Sequence, residues 1–549
     1  MRRGATRTVR RNPAGRERPR LGGSAGDGYS KTRATSRRLL PIGIQSFRNL
    51  RERGCYYVDK TGYALRMVEQ GTHYFLSRPR RFGKSLFLDT LKELFEGGRD
   101  LFEGLEICGR WDWSVRHPVV RLSFGSGNFK VPGDLNADLL EQLDALETDA
   151  GVEPRHATAR GRFRHLLRAL HRQTGRQVAV LVDEYDKPIL DALEEPAVAR
   201  ANRDYLRGLY ATIKDSDAHI RFCFLTGVSK FSKVSLFSGL NNLRDITLNP
   251  AYSAVCGYTE ADLDAVFAPE LEGLDRKRVR EWYNGYSWSG AERVYNPFDV
   301  LLLLADREFS PWWFETGTPR FLVETLVERG VPTPSLEGML ASNDLLSTFD
   351  VGDIATEALL FQTGYLTVEG IERRGGRRHY RLGYPNREVR QCLNESLLSR
   401  LVQDRSRQEA HSVSLYDRLQ SADMACLEEL FRAFFASIPH QWHTRNEIAR
   451  YEGYYASVFY SYFAGAGMDV RVEERGSEGR LDMAVRAGGR VYLFEFKVAE
   501  RAGPGAALAQ LKERGYADKY RHLGEPVHLV GVEFSERDRN VAGFETERA

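Results

Sequence analysis

The feature that most constrains this chain is the stretch 74–88, Tyr-Phe-Leu-Ser-Arg-Pro-Arg-Arg-Phe-Gly-Lys-Ser-Leu-Phe-Leu. It predicts a short apolar strand, a bend, and a helix that begins at the Gly-Lys-Ser of residues 83–85. A phosphate-binding loop requires this order, because backbone N–H groups and a helix N-terminus surround the phosphates while a lysine reaches the outer ones. The pattern departs from the usual one in a single place, since Arg78 stands where a glycine is expected.

A second stretch, residues 178–184, supports nucleotide binding. Its sequence, Val-Ala-Val-Leu-Val-Asp-Glu, is an apolar run too short for a confident helix and typical of a buried parallel strand. In a P-loop fold the end of this strand faces the phosphates, so Asp183 is predicted to hold Mg²⁺ and Glu184 to orient or deprotonate water. An Asp-Glu pair after a strand is also an ordinary helix N-cap, but its combination with the upstream Gly-Lys-Ser favours a site for ATP and Mg²⁺.

The next apolar strand, residues 219–227, ends at a polar residue. Thr226 is predicted to contact the γ-phosphate as a sensor. Three basic residues further on, Lys230, Lys233 and Arg244, are candidates for a phosphate contact in this chain or in a neighbouring copy, which leaves a homo-oligomer open. The predicted nucleotide ligands are Arg80, Arg81, Phe82, Gly83, Lys84, Ser85, Asp183 and Thr226, with Ser85 and Asp183 as the metal ligands.

Composition limits the protein classes that remain. The 549 residues are 42% hydrophobic and 28% charged, as in globular proteins. No apolar run approaches the roughly 20 residues that cross a bilayer, so no membrane partner is expected. The six cysteines are scattered without a Cys-x-x-Cys pair, which favours a reducing, cytoplasmic location.

The chain is predicted to contain an α/β P-loop sheet, a helical middle region and a C-terminal α/β domain. Residues 1–38, with twelve Lys or Arg against two acids, are predicted to be a disordered basic tail. A helix followed by a basic Gly-Gly hairpin near Gly375 predicts a winged helix, which would contact either DNA or the ATPase core. The predicted boundaries are 39–250 for the P-loop domain, 251–345 for a helical region, 346–395 for the winged helix, 396–450 for a helical linker and 451–549 for the last domain.

A second chemical site is predicted near the C-terminus. Residues 481–485 alternate like a strand, a Gly-Gly turn follows, and residues 491–498 return as a second strand. Alternate side chains of a strand share one face, so Glu495 and Lys497 point the same way, and the hairpin brings Asp482 alongside them. Two carboxylates and a lysine suit Mg²⁺-assisted phosphodiester hydrolysis, in which the acids hold the metal and the lysine activates water. The alternative is an edge hairpin with a solvated charged face.

Flanking residues add to this site. Glu452 is predicted on a helix before the hairpin, as a further carboxylate for the metal. An amphipathic helix over residues 506–520 carries Gln510, Tyr516 and Lys519 towards a nucleic-acid backbone.

Together these patterns resemble a family of bacterial proteins that join an AAA-ATPase-like domain to a PD-(D/E)XK nuclease domain. The stretches that carry the resemblance are 57–61, 76–85, 183–186, 226–229, 283–286, and Asp482 with 495–497. The resemblance covers residues 40–535 and implies ATP binding and a restriction-endonuclease-like C-terminal fold. It also implies that Arg78 in place of glycine is a family trait, whereas Leu481 replaces the proline of the superfamily's name.

Three functions remain open from the sequence. The first is ATP-dependent or ATP-gated cleavage of DNA at Asp482, Glu495 and Lys497. The second is a nucleotide-switched signalling or scaffold ATPase whose nuclease fold only binds nucleic acid or protein. The third is a P-loop that binds ATP without hydrolysing it.

Overall fold

A five-stranded parallel sheet forms the centre of the N-terminal region. Its strands are β1 (His73–Ser77), β2 (Val119–Ser123), β3 (Val178–Asp183), β4 (Ile220–Gly227) and β5 (Arg244–Asp245), in the order β2-β3-β4-β1-β5. Every residue of β1 and β3 is buried. A strand covered on both faces carries a continuous apolar run, which explains why β3 does not alternate. Because the strands are parallel, the carboxyl ends of β1, β3 and β4 meet at one edge of the sheet.

The computed structural model describes residues 37–230, 236–237, 240, 242–315, 320–329, 331, 333–346, 354–402, 405–436, 451–475 and 480–549. The predicted basic tail up to residue 36, Lys233, and residues 437–450 of the predicted linker lie outside the described residues. From Arg38 to Ala549 the chain forms one compact unit. The domain boundaries drawn from the sequence therefore stay predictions.

The helices of the N-terminal region precede or connect the strands of the parallel sheet. They are α1 (Phe47–Glu52), α2 (Thr61–Gln70), α3 (Lys84–Glu96), α4 (Asp134–Asp149), α5 (Ala159–Thr174), α6 (Lys187–Leu190) and α7 (Pro196–Asp215). Helix α3 packs against β2, β3 and β4 through an apolar stripe that includes Leu88, Leu91 and Leu94, all completely buried. This packing fixes the N-terminus of α3 beside the carboxyl ends of the strands.

The middle region is helical, as predicted. Its helices are α8 (Glu260–Val266), α9 (Ala268–Leu271), α10 (Arg276–Tyr283), α11 (Pro297–Asp306), α12 (Trp312–Glu315) and α13 (Arg320–Glu328). Four aromatic residues are buried in the core of this region. They lie beside the Asn-Gly and Asn-Pro turns at residues 284–285 and 296–297, and they are Trp282, Tyr283, Tyr286 and Tyr295.

A small antiparallel sheet follows. Its strands are β6 (Met339–Ser342), β7 (Thr367–Arg374) and β8 (Arg377–Gly383), in the order β6-β8-β7, and helices α14 (Asn343–Leu346) and α15 (Thr356–Thr363) lie between β6 and β7 in the chain. The predicted winged helix over residues 346–395 contains α15 and the basic hairpin but not β6, and it stays a prediction.

The C-terminal region is a second five-stranded sheet with helices. Helices α16 (Arg387–Val402), α17 (Arg405–Ser421), α18 (Met424–Ala436) and α19 (Tyr451–Gly465) precede strands β9 (Asp469–Arg475), β10 (Arg480–Ala487), β11 (Arg490–Val498), β12 (Val527–Ser535) and β13 (Asn540–Arg548). The order is β13-β12-β11-β10-β9, and only β11 and β12 are parallel. Helices α20 (Ala499–Ala502) and α21 (Ala506–Glu513) form the crossover between these two strands.

The predicted single helix over residues 506–520 is wrong in extent. Helix α21 ends at Glu513, and a 3₁₀ helix runs over Tyr516–Leu523. Between them Gly515 adopts a left-handed φ of 58°, which a continuous helix cannot contain.

Candidate functional sites

The phosphate loop has the backbone that its sequence predicts. Gly83 takes a left-handed φ of 89° immediately before α3, and Arg81 takes a φ of 69°. Lys84 is 7% exposed, and its Nζ donates to the carbonyls of Arg78 and Pro79, both at 2.9 Å. Burial lowers the pKa of the Lys84 ammonium, and the nearby carboxylates of Glu184 and Asp183 oppose this shift. The loop thus holds a desolvated cation at the N-terminus of a helix.

Arg78, which replaces the expected glycine, points away from the loop into the core. Its side chain is completely buried and donates to the carbonyls of Ser77 (2.9 Å), Thr247 (2.9 Å) and Tyr252 (3.1 Å). Its guanidinium also lies 3.9 Å from the centre of the Trp288 ring, a cation–π contact. Burial lowers the pKa of Arg78 to about 10. Arg78 therefore fixes the strand end that leads into the phosphate loop.

The acidic end of β3 lies beside Lys84. Asp183 is 3% exposed, its Oδ1 has no hydrogen-bond partner among the described residues, and its Oδ2 lies 3.8 Å from Arg121. Glu184 has a left-handed φ of 51°, uncommon for a residue with a side chain, and burial raises the pKa of its carboxyl. A buried carboxylate oxygen without a donor is suited to bind a cation, and the oxygen donors here suit Mg²⁺.

Asp186 is an important residue of this region to which the sequence assigned no role. It is 1% exposed and accepts hydrogen bonds from the N–H groups of Val228 and Ser229 and from the Ser229 hydroxyl at 2.6 Å. It thereby joins the turn after β3 to the turn after β4. An Asp three residues after Asp183 is visible in the sequence, but its partners lie 42 and 43 residues further on.

A cavity of about 400 Å³ opens at this edge of the sheet. The charged side chains that line it are five basic residues and one acid, a balance that suits a polyanion such as a triphosphate. These are Lys60, Arg80, Arg81, Lys84, Lys187 and Glu184. Its remaining walls include Gln45, Tyr57, Tyr258 and Phe298. The sequence favoured a core role for Tyr57 and assigned no nucleotide contact to the other three, because all four come from segments far apart in the chain.

The predicted nucleotide ligands differ in their placement. Arg80, Arg81, Phe82, Gly83, Lys84 and Ser85 line the cavity. The exposed Arg81 lies with its guanidinium 4.7 Å from the Phe298 ring centre. Thr226 is completely buried, and its hydroxyl donates to the Leu76 carbonyl at 2.9 Å. This hydroxyl joins β4 to β1, and the sensor role of Thr226 stays a prediction.

The two described candidates for a further phosphate contact are both engaged in this chain. Lys230 pairs with Asp245 at 2.6 Å. Arg244 lies on the edge strand β5, with its guanidinium 5.8 Å from the Tyr74 ring centre.

The C-terminal hairpin brings the predicted carboxylates and lysine together. Glu495 is 1% exposed, and its Oε1 accepts from Lys497 Nζ at 2.9 Å and from the amide of Gln510 on α21. Asp482 Oδ2 accepts from the N–H of Phe496 at 2.9 Å. Burial, followed by the charge of Asp482, raises the pKa of Glu495 to about 7, and Lys497 opposes the shift. Two carboxylates close enough to perturb one another suit a shared cation.

The other residues predicted for this site have mixed outcomes. Tyr516 is buried, and the charge of Glu495 contributes to raising its pKa after burial itself, which places it at the site. Lys519 is exposed, with Nζ 5.9 Å from the Tyr520 ring centre. The side chain of Glu452 lies outside the described residues.

Among the described residues, no group of three or more His, Cys, Asp or Glu side chains could hold a metal. A cation here would therefore have two side-chain carboxylates from the described residues.

The fold and these two sites define a P-loop ATPase-like region followed by a nuclease-like sheet. A family model for a predicted AAA-ATPase matches residues 41–237, and one for the PD-(D/E)XK nuclease superfamily matches residues 450–544. A protein of Azotobacter chroococcum mcd 1, described as an uncharacterized protein in the vnfD 5′ region, is 60% identical over 513 residues, which are 93% of this chain and 99% of that relative. The chain belongs to this family of AAA-ATPase-like proteins with a PD-(D/E)XK nuclease superfamily domain, and the resemblance seen in the sequence is confirmed.

Within the described ranges, every helix is too short or too polar to pass through a bilayer.

Proposed function

We propose that this protein hydrolyses ATP at the phosphate loop and cleaves DNA at the C-terminal carboxylate site under nucleotide control. One observation carries the proposal. In each site a buried carboxylate oxygen lacks a hydrogen-bond partner among the described residues: Asp183 Oδ1 in the first and Glu495 Oε2 in the second. Each carboxylate also lies near a lysine, Lys84 or Lys497. Because an unpaired buried carboxylate is costly, both sites fit a bound cation.

In the ATPase site the backbone N–H groups of the loop and the N-terminus of α3 would bind the phosphates. Lys84 would exchange its two carbonyl contacts for phosphate oxygens, and Ser85 and Asp183 would hold Mg²⁺. A bound Mg²⁺ supplies charge neutralisation of the phosphates. Glu184 lines the same cavity with a raised pKa, as expected of a carboxylate that orients or deprotonates water.

In the nuclease site Asp482 and Glu495 would hold Mg²⁺. A bound Mg²⁺ supplies Lewis-acid polarisation of the scissile phosphate. Lys497 is the cation that lies next to Glu495, and it would position water and stabilise negative charge that develops on the phosphate. Gln510 donates to Glu495 and fixes the orientation of its carboxylate.

A continuous set of contacts joins the two sites and supports nucleotide control. Trp313 donates from its indole Nε1 to the Arg80 carbonyl of the phosphate loop at 3.2 Å, and its backbone N–H donates to Glu388 of α16 at 2.8 Å. Helix α16 packs on α19, where Phe459 lies 5.0 Å from Phe496, the residue between Glu495 and Lys497. A nucleotide that moves the loop therefore has a packed route to β11.

The test is cleavage of DNA in the presence of Mg²⁺, with and without ATP. Lys497→Ala should lower cleavage about 10²–10³-fold, by analogy with the loss of one group that stabilises developing charge, and should leave ATP turnover unchanged. Lys84→Ala should abolish ATP turnover and the response of cleavage to ATP. The matched controls are Lys512→Ala, an exposed lysine on α21 that pairs with Glu547, and Lys92→Ala, a partly exposed lysine on α3.

Unchanged cleavage in the Lys497→Ala variant would contradict the nuclease assignment. Absence of metal-dependent cleavage in the natural protein, with ATP binding abolished in Lys84→Ala, would assign a nucleotide-switched scaffold in its place.

A further inference from the structure

The hairpin between β7 and β8 carries a concentrated positive charge at its tip. Its two turn residues, Gly375 and Gly376, have φ values of 56° and 78°, as a two-residue hairpin turn with two left-handed positions requires. Two arginines precede the turn and two follow it, and all four are exposed. They are Arg373, Arg374, Arg377 and Arg378.

These arginines face one another across the hairpin. The register pairs Arg373 with Arg378 and Arg374 with Arg377. Side chains directly opposite in an antiparallel pair have Cβ atoms roughly 4.5–5.5 Å apart, and like charges at that separation destabilise the hairpin. The tip therefore holds two repulsive pairs that nothing in the fold requires.

Acidic residues compensate only a part of this charge. Glu372 pairs with Arg374 at 2.7 Å and lies 3.7 Å from Arg381. Within the described parts of the chain, Arg373, Arg377 and Arg378 form no ion pair. Three guanidinium groups thus remain available to an anion from outside the chain, and Arg374, whose side chain is 63% exposed, can exchange Glu372 for such an anion.

The helix that precedes the hairpin is committed to contacts inside the protein. Helix α15, which lies just before the hairpin, is mostly buried, and its Gln362 donates to the Leu346 carbonyl at 2.7 Å and accepts from the Lys230 N–H at 2.8 Å. Gly364, at the end of α15, lies so close to the phosphate loop that a Cβ there would be 2.7 Å from Pro79. The helix is therefore closed to base readout, whereas the hairpin tip faces solvent.

We propose that Arg373, Arg374, Arg377 and Arg378 bind the phosphate backbone of duplex DNA without sequence preference. Guanidinium groups bind phosphate oxygens in a bidentate manner. Duplex DNA presents one negative charge per about 1.7 Å of helix axis, a density that can neutralise all four arginines of one hairpin tip. The choice of DNA as the partner rests on the proposed nuclease function, since a polyanionic substrate must be held near Asp482 and Glu495.

The experiment is fluorescence anisotropy of a labelled DNA duplex, titrated with the full-length protein in EDTA and without ATP. The variant Arg373→Ala/Arg374→Ala/Arg377→Ala/Arg378→Ala should bind at least tenfold more weakly. The plot of log affinity against log salt concentration should become shallower by roughly 0.9 for each phosphate that the variant no longer neutralises, about 2–4 in total. The matched control removes four exposed arginines from the region of α5, as Arg155→Ala/Arg160→Ala/Arg168→Ala/Arg172→Ala.

Each outcome decides the proposal. Equal reductions of affinity in the two quadruple variants would mean that bulk charge alone drives binding. An unchanged affinity in the hairpin variant would mean that the tip binds a protein partner and not DNA. Either result overturns the proposal.

The thermal midpoint of the DNA-free hairpin variant should be equal to or above that of the natural protein, because two repulsive pairs have been removed. A second variant with lysine at all four positions should retain most of the salt dependence, which guards against a folding defect. Because EDTA prevents cleavage, failure of the nuclease proposal would leave this measurement valid.

Discussion

The phosphate loop and the C-terminal carboxylate site bury charges of opposite sign, and burial perturbs both. The Lys84 ammonium is 7% exposed and its pKa is lowered, whereas the Glu495 carboxyl is 1% exposed and its pKa is raised to about 7. Desolvation disfavours the charged form in each case. The first site therefore needs an anion and the second a cation, as expected if they bind a triphosphate and a metal.

The two sites differ in what holds the buried charge. Lys84 is held by two backbone carbonyls, which no substitution removes. Glu495 is held by the side chains of Lys497 and Gln510. The activity of a site held by backbone carbonyls should tolerate changes of neighbouring side chains better than that of a site held by side chains. The activity of the C-terminal carboxylate site should also depend more strongly on pH.

The largest effect on activity is expected in the ATPase site, from a side chain that acts on water and does not hold the phosphate loop in place. Glu184→Gln should lower ATP turnover about 10²–10⁴-fold, the usual contribution of a general base. Binding of ATP should persist, because Lys84 and the loop backbone are unchanged. The measurements are steady-state phosphate release and the binding of a labelled ATP analogue.

The control for Glu184 is Glu194→Gln, which removes an exposed acid further along the same segment of the chain. Turnover preserved in Glu184→Gln would show that another group orients water, and turnover already absent from the natural protein would leave an ATP-binding loop without hydrolysis.

The second prediction concerns Arg78, where the family pattern departs from the usual loop. Arg78→Gly restores the common motif but removes three hydrogen bonds to carbonyls and the contact with Trp288. Leaving a buried carbonyl unsatisfied costs about 1–3 kcal/mol, so the loss of three donors should lower the free energy of unfolding by at least about 3 kcal/mol. Chemical denaturation measures this change.

A variant with glycine at this position that bound ATP more tightly and unfolded at the same denaturant concentration would contradict the structural role of Arg78. Arg80→Gly is the matched control for the denaturation measurement alone, since the Arg80 side chain is exposed on the same loop.

The sequence was sufficient for those parts of the two sites that lie close together in the chain. The loop of residues 78–85 and the hairpin bearing Asp482, Glu495 and Lys497 were predicted, because strand alternation and helix starts are local properties. The aromatic walls of the cavity were not, since Tyr57, Tyr258 and Phe298 meet only after the middle region packs on the loop.

The buried Arg78 is a second case in which the sequence could not predict contacts between distant segments. The sequence shows a substitution for glycine, but its partners Thr247, Tyr252 and Trp288 lie in segments far along the chain. No local pattern predicts such contacts, and the hypothesis of a P-loop that binds ATP without hydrolysing it stays open.

The third prediction uses the raised pKa of Glu495. The carboxylate must be ionised to hold a cation, so metal-dependent cleavage should rise about tenfold per pH unit below pH 7 and level off above it. The linkage to stability has the opposite sign. A carboxyl whose folded pKa lies above its unfolded value stabilises the protein at low pH, and this contribution disappears as pH rises through about 7 in EDTA.

The measurements are cleavage rates from about pH 5.5 to 8.5 with Mg²⁺ in excess, and denaturation in EDTA over the same range. Glu495→Gln should remove this pH dependence of stability, and a cleavage profile that is flat across pH 7 would contradict the assignment of Glu495 as a metal ligand.

The smallest effect is expected from a substitution of Gln510. It tests most directly whether the carboxylate site depends on neighbouring side chains, as the phosphate loop does not. Gln510→Ala removes one neutral donor to Glu495, a contact worth about 0.5–1.5 kcal/mol, so cleavage should fall roughly 2- to 13-fold. The loss of that donor should also move the pH profile of cleavage upward, because a hydrogen bond to the ionised carboxylate is gone. ATP turnover should not change.

The control is Gln142→Ala, a glutamine that instead accepts from the Ser123 N–H and donates to the Ser123 carbonyl in the N-terminal region. A fall in cleavage without a shift in the pH profile would mean that Gln510 supports packing of α21 and does not orient the carboxylate.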